Sequence, residues 1–124
     1  MKYVSWNCRG LGSKSKEEAI KDLVRMTNPD VLLIQETKME EPETIQASNH
    51  FWKKGKGRVV NARGASGGLA TFWNPSALDL LEEDQTTHWL YTKLLHKDSG
   101  LTVSMFNMYA PVLLSEKKKS VGNP

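Results

Sequence analysis

A single cysteine, Cys8, is all that the 124 residues contain. No intramolecular disulfide can form, so a disulfide-stapled secreted scaffold is excluded, and an intracellular setting is expected. Long apolar runs are missing as well. None approaches the ~20 residues of a membrane helix, and Met1-Lys2-Tyr3-Val4-Ser5-Trp6 is too polar to read as a secretory signal. No membrane partner is expected. Internal repeats and a convincing linker are also absent. Charge of one sign is scarce: 17 Lys and Arg stand against 14 Asp and Glu, a net charge of +3. That balance allows a nucleic-acid partner without demanding one, because phosphate-binding surfaces depend on local patches.

What is present suits an ordinary folded domain. Hydrophobic residues make up 39% and charged residues 25%, with four Trp, three Tyr and three Phe to supply bulk for a core. Lys2 to Asn7 reads as a short strand, in which Tyr3, Val4 and Trp6 are strand formers. Gly10-Leu11-Gly12-Ser13 ends it. A helix follows. Ser15 and Glu18 have the spacing of a capping box. Ala19, Ile20, Leu23, Val24 and Thr27 then recur at helical spacing, while Lys16, Glu17, Lys21, Asp22 and Arg25 fall mostly on the other face. Asn28-Pro29 stops the helix, since a residue before proline avoids the helical region.

Asp30 to Thr37 is the clearest strand. Val31, Leu32, Leu33 and Ile34 are apolar in succession, so both faces should be covered. A strand, a helix and a second apolar strand make a parallel crossover unit, which brings Asn7 and Glu36 to the same edge of one sheet. Met39 to Lys56 is less regular, with a turn and the start of a short acidic helix around Glu40-Glu41-Pro42-Glu43. Short strands follow at Arg58-Val59-Val60, Gly68 to Trp73, Ala77 to Leu81, Thr87 to His96 and Leu101 to Tyr109, with Asp98-Ser99-Gly100 as a hairpin turn between the last two. In the final strand Leu101, Val103 and Met105 share one face, which Asn107 and Tyr109 continue. Lys117-Lys118-Lys119 lies in a tail, Ser115 to Pro124, that reads as a frayed, solvated charge run.

Three apolar strands thus end in polar groups: Ser5-Trp6-Asn7, Ile34-Gln35-Glu36-Thr37-Lys38 and Asn107-Met108-Tyr109-Ala110-Pro111. A hard divalent cation takes oxygen ligands, and magnesium commonly uses one or two carboxylates plus water and substrate phosphate. Glu36, at the end of a rigid buried strand, suits that carboxylate role. Asn7 can hold a ligand or a water without adding charge, and Tyr109 can donate to a phosphate oxygen as negative charge builds on it. Each residue has an ordinary reading beside this one. A glutamate at a strand end is usually solvated, a rim tyrosine is usually core with a wet hydroxyl, and an asparagine after a strand is usually turn chemistry.

Trp6-Asn7-Cys8-Arg9-Gly10-Leu11-Gly12, Asn28-Pro29-Asp30, Leu33-Ile34-Gln35-Glu36-Thr37-Lys38, Ser66-Gly67-Gly68-Leu69-Ala70-Thr71-Phe72-Trp73 and Asn107-Met108-Tyr109-Ala110-Pro111 follow one another in the chain. In that order they resemble the endonuclease/exonuclease/phosphatase superfamily. More narrowly, they resemble the endonuclease domain of plant LINE-type (non-LTR) retrotransposons. The resemblance implies an α/β fold (α+β by some schemes): the N-terminal half of a four-layer α-β-β-α, deoxyribonuclease-like sandwich with a mixed sheet flanked by helices. Residues 1–115 would form this partial domain and 116–124 a disordered basic tail. It implies that Glu36 binds Mg2+, with Mn2+ as an alternative, and that Asn7 shares the metal and water network. Lys38 and Asn107 would support the site, and Tyr109 would contact the scissile phosphate. Gly67 and Gly68 would permit close backbone approach, with a tight turn before a strand as an equally open reading. DNA is the implied substrate, with a reverse transcriptase fused in an intact element.

Two departures from the family pattern follow. Arg9 stands where apurinic endonucleases carry an Asp. It would repel a nearby metal ion but could touch a DNA phosphate. The Gly-Asp-Phe-Asn-like and Ser-Asp-His-like motifs of the family's second half do not occur in these residues, and His50, His88 and His96 each lack an adjacent Asp. All three histidines read as structural or surface residues. The expectation is an endonuclease domain lacking its base, inactive alone, with mainly one sheet whose inner face has lost its partner layer. Two alternatives stay open. One is a non-enzymatic remnant touching nucleic acid through Arg9, Lys38, Lys53, Lys54 and Lys56. The other is a phosphoesterase of the same superfamily with a different substrate.

Overall fold

The computed structural model describes residues 1–108. Tyr109 and the 116–124 tail lie outside the described residues. The first strand, β1 (Tyr3–Asn7), leads through α1 (Lys14–Thr27) to β2 (Val31–Gln35). β2 lies parallel to β1, with Tyr3 opposite Val31 and Asn7 opposite Gln35, so the parallel crossover is present as expected.

The helix starts earlier than the Ser15–Glu18 spacing implied. Ser13 is the N-cap: its backbone is extended (φ −110°, ψ 152°) and its Oγ accepts from Lys16 N at 3.2 Å. Ser15 therefore lies inside the first turn, where its hydroxyl has no capping part to play. At the other end Asn28 turns left-handed (φ 46°) and donates its N–H to Val24 O at 2.8 Å. This satisfies an orphan carbonyl as the helix ends before Pro29.

The stretch read as irregular holds a second helix, α2 (Glu41–Phe51). Its buried face is Thr44, Ala47, Ser48 and Phe51. That is helical spacing built from small and polar residues, so apolar periodicity is silent until Phe51. Pro42 sits in the first turn, where a missing N–H loses no helical bond.

Two more strands, β3 (Lys56–Val60) and β4 (Leu69–Trp73), complete a first sheet in the order β1-β2-β4-β3, in which β4 runs antiparallel to both neighbours. Leu32, Ile34, Ala70 and Phe72 face the helices and pack with Ile20, Ala47, Phe51 and Trp52. Phe51 meets Phe72 edge to face at 5.7 Å.

A second sheet is an antiparallel meander of β5 (Leu78–Gln85), β6 (Trp89–His96) and β7 (Thr102–Met108). Its Leu78, Leu94 and Met105 pack on Val31, Leu33 and Trp73, the opposite face of the first sheet. Leu90 packs likewise with Val60 and Leu69. The expectation of mainly one sheet with a bare inner face is therefore corrected: the chain builds parts of both sheets and buries the face between them. The signal was hidden in β6, where Leu90, Thr92 and Leu94 turn inward while Trp89, Tyr91 and Leu95 put further apolar groups on the outside. Among the described residues, exposed apolar side chains also cluster on the outer face of the second sheet. There Phe106 is 59% and Met108 57% exposed, and the Phe106 ring lies against Tyr91 (4.8 Å) and Trp89 (6.0 Å). The layers run helices, mixed sheet, antiparallel sheet: a mixed α/β fold.

Strand direction decides what gathers at one rim. β1 and β2 both end there, at Asn7 and Gln35. β4 begins there and β3 ends there, because Leu69 pairs with Gln35 and with Val60. β6 begins and β7 ends there too: Trp89 pairs with Met108, and Asn107 reaches Gln35.

Candidate functional site

The chain after β1 stays zipped to the chain after β2. Cys8 N donates to Gln35 O (3.0 Å), Gly10 N to Glu36 O (2.7 Å) and Leu11 N to Thr37 O (2.9 Å). This extension of the parallel register brings Asn7 against Glu36: Asn7 Nδ2 donates to Glu36 Oε2 at 2.7 Å. The amide's orientation follows from its other end, where Oδ1 accepts from Arg9 N at 3.1 Å. Glu36 is half-buried and Asn7 exposed. Glu36 Oε1 accepts no hydrogen bond among the described residues, so the carboxylate keeps an open lone-pair face.

The backbone here is held in costly conformations. Arg9 (φ 52°), Glu36 (φ 57°) and Lys38 (φ 58°) are all left-handed without being glycine. Such conformations cost roughly 1–2 kcal/mol each and cluster where a site over-determines the chain. Part of the restraint comes from the loop before β4. Gly68 O accepts from Thr37 N (3.1 Å) and Gly67 O from Lys38 N (2.9 Å). A Cβ on Gly68 would overlap Thr37 Oγ1 and lie 3.1 Å from Lys38 N, whereas one on Gly67 would meet nothing within 4 Å. Of the two glycines, Gly68 approaches closely, and the neighbour it meets is the Thr37-Lys38 backbone beside Glu36.

Lys38 lays its stem over Gly10, with Cδ 3.5 Å from where a Gly10 Cβ would stand. Its ammonium and the Arg9 guanidinium make no hydrogen bond or ion pair among the described residues. Both side chains are exposed. Tyr109, the expected phosphate contact, falls outside the described residues.

Asn107 is buried beneath the rim and joins the two sheets. Its Nδ2 donates to Ala70 O (2.9 Å) and lies 3.2 Å from both Ile34 O and Thr71 Oγ1, which share its second proton, while Oδ1 accepts from Gln35 Nε2 at 2.7 Å. Gln35 also donates to Ser5 Oγ at 3.0 Å. The sequence singled out neither Gln35 nor Thr37 as a site residue. Both lie inside the Leu33-to-Lys38 run, and a polar residue breaking the apolar run one position before Glu36 was the signal for Gln35. Cys8 is fully buried and its Sγ donates to Glu36 O at 3.4 Å. Burial pushes its thiol above the ordinary value.

No three His, Cys, Asp or Glu side chains converge as a metal cage among the described residues. Magnesium does not require one, since water and substrate phosphate fill most of its shell. One carboxylate, oriented by a neutral amide and with its other oxygen unbonded among the described residues, fits the protein's share of such an open hard-cation site.

A comparison with curated proteins finds no match. Among solved structures, the chain is similar to the AP endonuclease LMAP from Leishmania major (TM-score 0.69, 19% identity, 98% of this chain and 44% of that one). It is similar to D. rerio TDP2 complexed with single strand DNA product (0.68, 17%, 98% and 51%) and to a mannosyl-6-phosphatase from Bacteroides thetaiotaomicron (0.68, 15%, 99% and 60%). At these identities the likeness speaks to the fold alone, and the chain spans about half the length of the structures it matches. The model of the Endonuclease/Exonuclease/phosphatase family matches residues 4–107, from the first strand to the buried Asn107, and the chain belongs to that family.

Proposed function

We propose that these residues form the metal-holding wall of a nuclease that hydrolyses DNA phosphodiester bonds, of the kind carried by plant non-LTR retrotransposons. The observation that carries the reading is the 2.7 Å contact between Asn7 and Glu36 across the ends of two parallel strands, the other carboxylate oxygen accepting no hydrogen bond among the described residues. Glu36 would hold Mg2+, or Mn2+ in its place. When bound, the ion polarises a phosphoryl oxygen and offsets its charge. Asn7 fixes the carboxylate, and Arg9 and Lys38 offer positive charge to the phosphate backbone. Tyr109 would donate to the scissile phosphate. Family membership supports a divalent ion, and fold neighbours that include TDP2 with a DNA product and a 3′ phosphatase bound to a product DNA hairpin support DNA as the partner. Arg9 within the Trp6-to-Gly12 run favours the retrotransposon branch. A fused reverse transcriptase and a nuclear location follow from that branch.

The 124 residues contain no Asp-His pair to activate water, so the proposal assigns them substrate and metal contacts without turnover. Filter binding of duplex DNA, in a salt series with and without Mg2+, tests this. Binding should weaken with salt, strengthen with Mg2+ and lose the Mg2+ increment in Glu36→Ala. Salt-independent binding contradicts the nucleic-acid reading, and plasmid nicking by this chain contradicts the view that a further base is needed.

A further inference from the structure

The Gly67-Gly68 segment that buttresses Thr37 and Lys38 also lines a pocket of about 100 Å³, with Arg63, Ser66 and His88 around it. Two turns build this pocket from the two sheets. Before β4, Arg63 and Ser66 close a tight turn by exchanging backbone bonds (Arg63 N to Ser66 O 2.8 Å, Ser66 N to Arg63 O 3.3 Å), with Gly64 at φ 63°. Between β5 and β6, Thr86 Oγ1 accepts from His88 N (3.1 Å) and Trp89 N (3.2 Å). The His88 ring is held at Nδ1, 3.1 Å from Thr87 Oγ1. In the tautomer in which Nδ1 accepts from that hydroxyl, the ring proton sits on Nε2 as a donor.

The lining has one electrostatic character. Among the described residues no carboxylate lines this pocket or the adjoining one, which shares Asn61, Arg63 and Thr87 with it. The clefts elsewhere differ: Asp79 lines the one between Lys56 and Leu80, and Glu17 and Glu43 line the one beside α2. The Arg63 guanidinium makes no hydrogen bond or ion pair among the described residues. Its planar fork is therefore open to a bidentate oxyanion.

We propose that Arg63 and His88 form a second phosphate subsite. It would take a phosphate of the substrate strand beside the one addressed at Glu36. This rests on the phosphodiester reading and adds to it: two phosphate positions at one rim select a polynucleotide strand over a phosphomonoester. Arg63 supplies the charged fork and His88 an imidazole N–H on the opposite turn.

The test is an NMR titration of the 124-residue chain with inorganic phosphate, followed by duplex DNA. Phosphate should shift the Ser66 amide and the His88 ring saturably. Arg63→Ala should weaken that response at least tenfold, and Arg63→Lys, which keeps charge and loses the fork, should fall between. Unchanged amide signals away from the turn show that the variants fold. With DNA, the slope of log affinity against log salt should drop by about one unit in Arg63→Ala. No saturable response at His88, or one equal in wild type and Arg63→Ala, overturns the subsite. Saturable phosphate binding together with salt-independent DNA binding sinks the nuclease reading and leaves the anion subsite standing.

Discussion

Replacing Gly68 with alanine should damage the rim far more than the same change at its neighbour Gly67. At Gly68 the backbone is at φ 91°, where an L side chain costs roughly 1–2 kcal/mol. The new methyl would overlap Thr37 Oγ1 and press on Lys38 N at 3.1 Å, an overpacking cost of about 1–3 kcal/mol. Relieving the overlap means moving the loop away from Thr37 and Lys38. That gives up the bonds at 3.1 and 2.9 Å, each contributing about 1 kcal/mol. The contributions overlap, because motion that removes the clash breaks the bonds, so a total of about 3–5 kcal/mol is expected. Gly67→Ala meets nothing within 4 Å and should cost only its φ penalty, about 1 kcal/mol. Urea unfolding followed by tryptophan fluorescence measures both. Gly68→Ala should be the less stable by about 2–4 kcal/mol. Equal losses in the two variants would refute the argument that Gly68 is fixed by close approach to the Glu36 segment.

Three further outcomes follow from the same geometry. Glu36→Gly and Glu36→Ala both remove the carboxylate, but only glycine relieves the left-handed φ of 57°; glycine should be more stable by about 1 kcal/mol in urea, and equal midpoints would show that the backbone is unstrained. Phe106→Ser should reduce concentration-dependent self-association in sedimentation velocity, because Phe106 is 59% exposed on the outer face of the second sheet; no change would place the sticky surface elsewhere. The Cys8 thiol, pushed up by burial from 9.0, should resist a thiol reagent at pH 8 until urea is added. Its folded value lies above the unfolded one, so the stability it contributes is complete below pH 9.0 and is lost as pH rises through the folded value. Stability that rises with pH in that range, after correction for other groups by a Cys8→Ser control, would reverse the sign.

The parallel unit from Tyr3 to Gln35 was legible because its signals are local and agree: an unbroken apolar strand, a helical stripe ending at Ile20-Leu23-Val24, and Asn28-Pro29 as a stop. That unit alone brings Asn7 to Glu36. The N-cap was misplaced because Ser13 and Ser15 offer the same hydroxyl, and only the extended backbone at Ser13 decides between them. α2 hid behind Thr44, Ala47 and Ser48, small residues that pack closely without announcing an apolar face. β5 runs on through Glu82, Glu83 and Asp84 to Gln85, past the expected Leu81, since an edge strand with a solvated face accepts charge. Which way β6 faces could not be read from a strand that is apolar on both sides. The roles of Gln35 and Asn107 depend on contacts 72 residues apart in sequence, which no spacing rule reports. Arg63 and His88, 25 residues apart in the numbering, share a pocket only because two turns from different sheets meet.

Cation binding by Glu36 and Asn7 at the rim can be read directly with paramagnetic Mn2+. In NMR spectra of the 124-residue chain, sub-stoichiometric Mn2+ should broaden the Glu36 amide and the Asn7 side-chain amide first, and Glu36→Gln should abolish that selectivity. Broadening spread evenly over the exposed carboxylates, or centred at Asn7 and Glu36 but unchanged in Glu36→Gln, would contradict it.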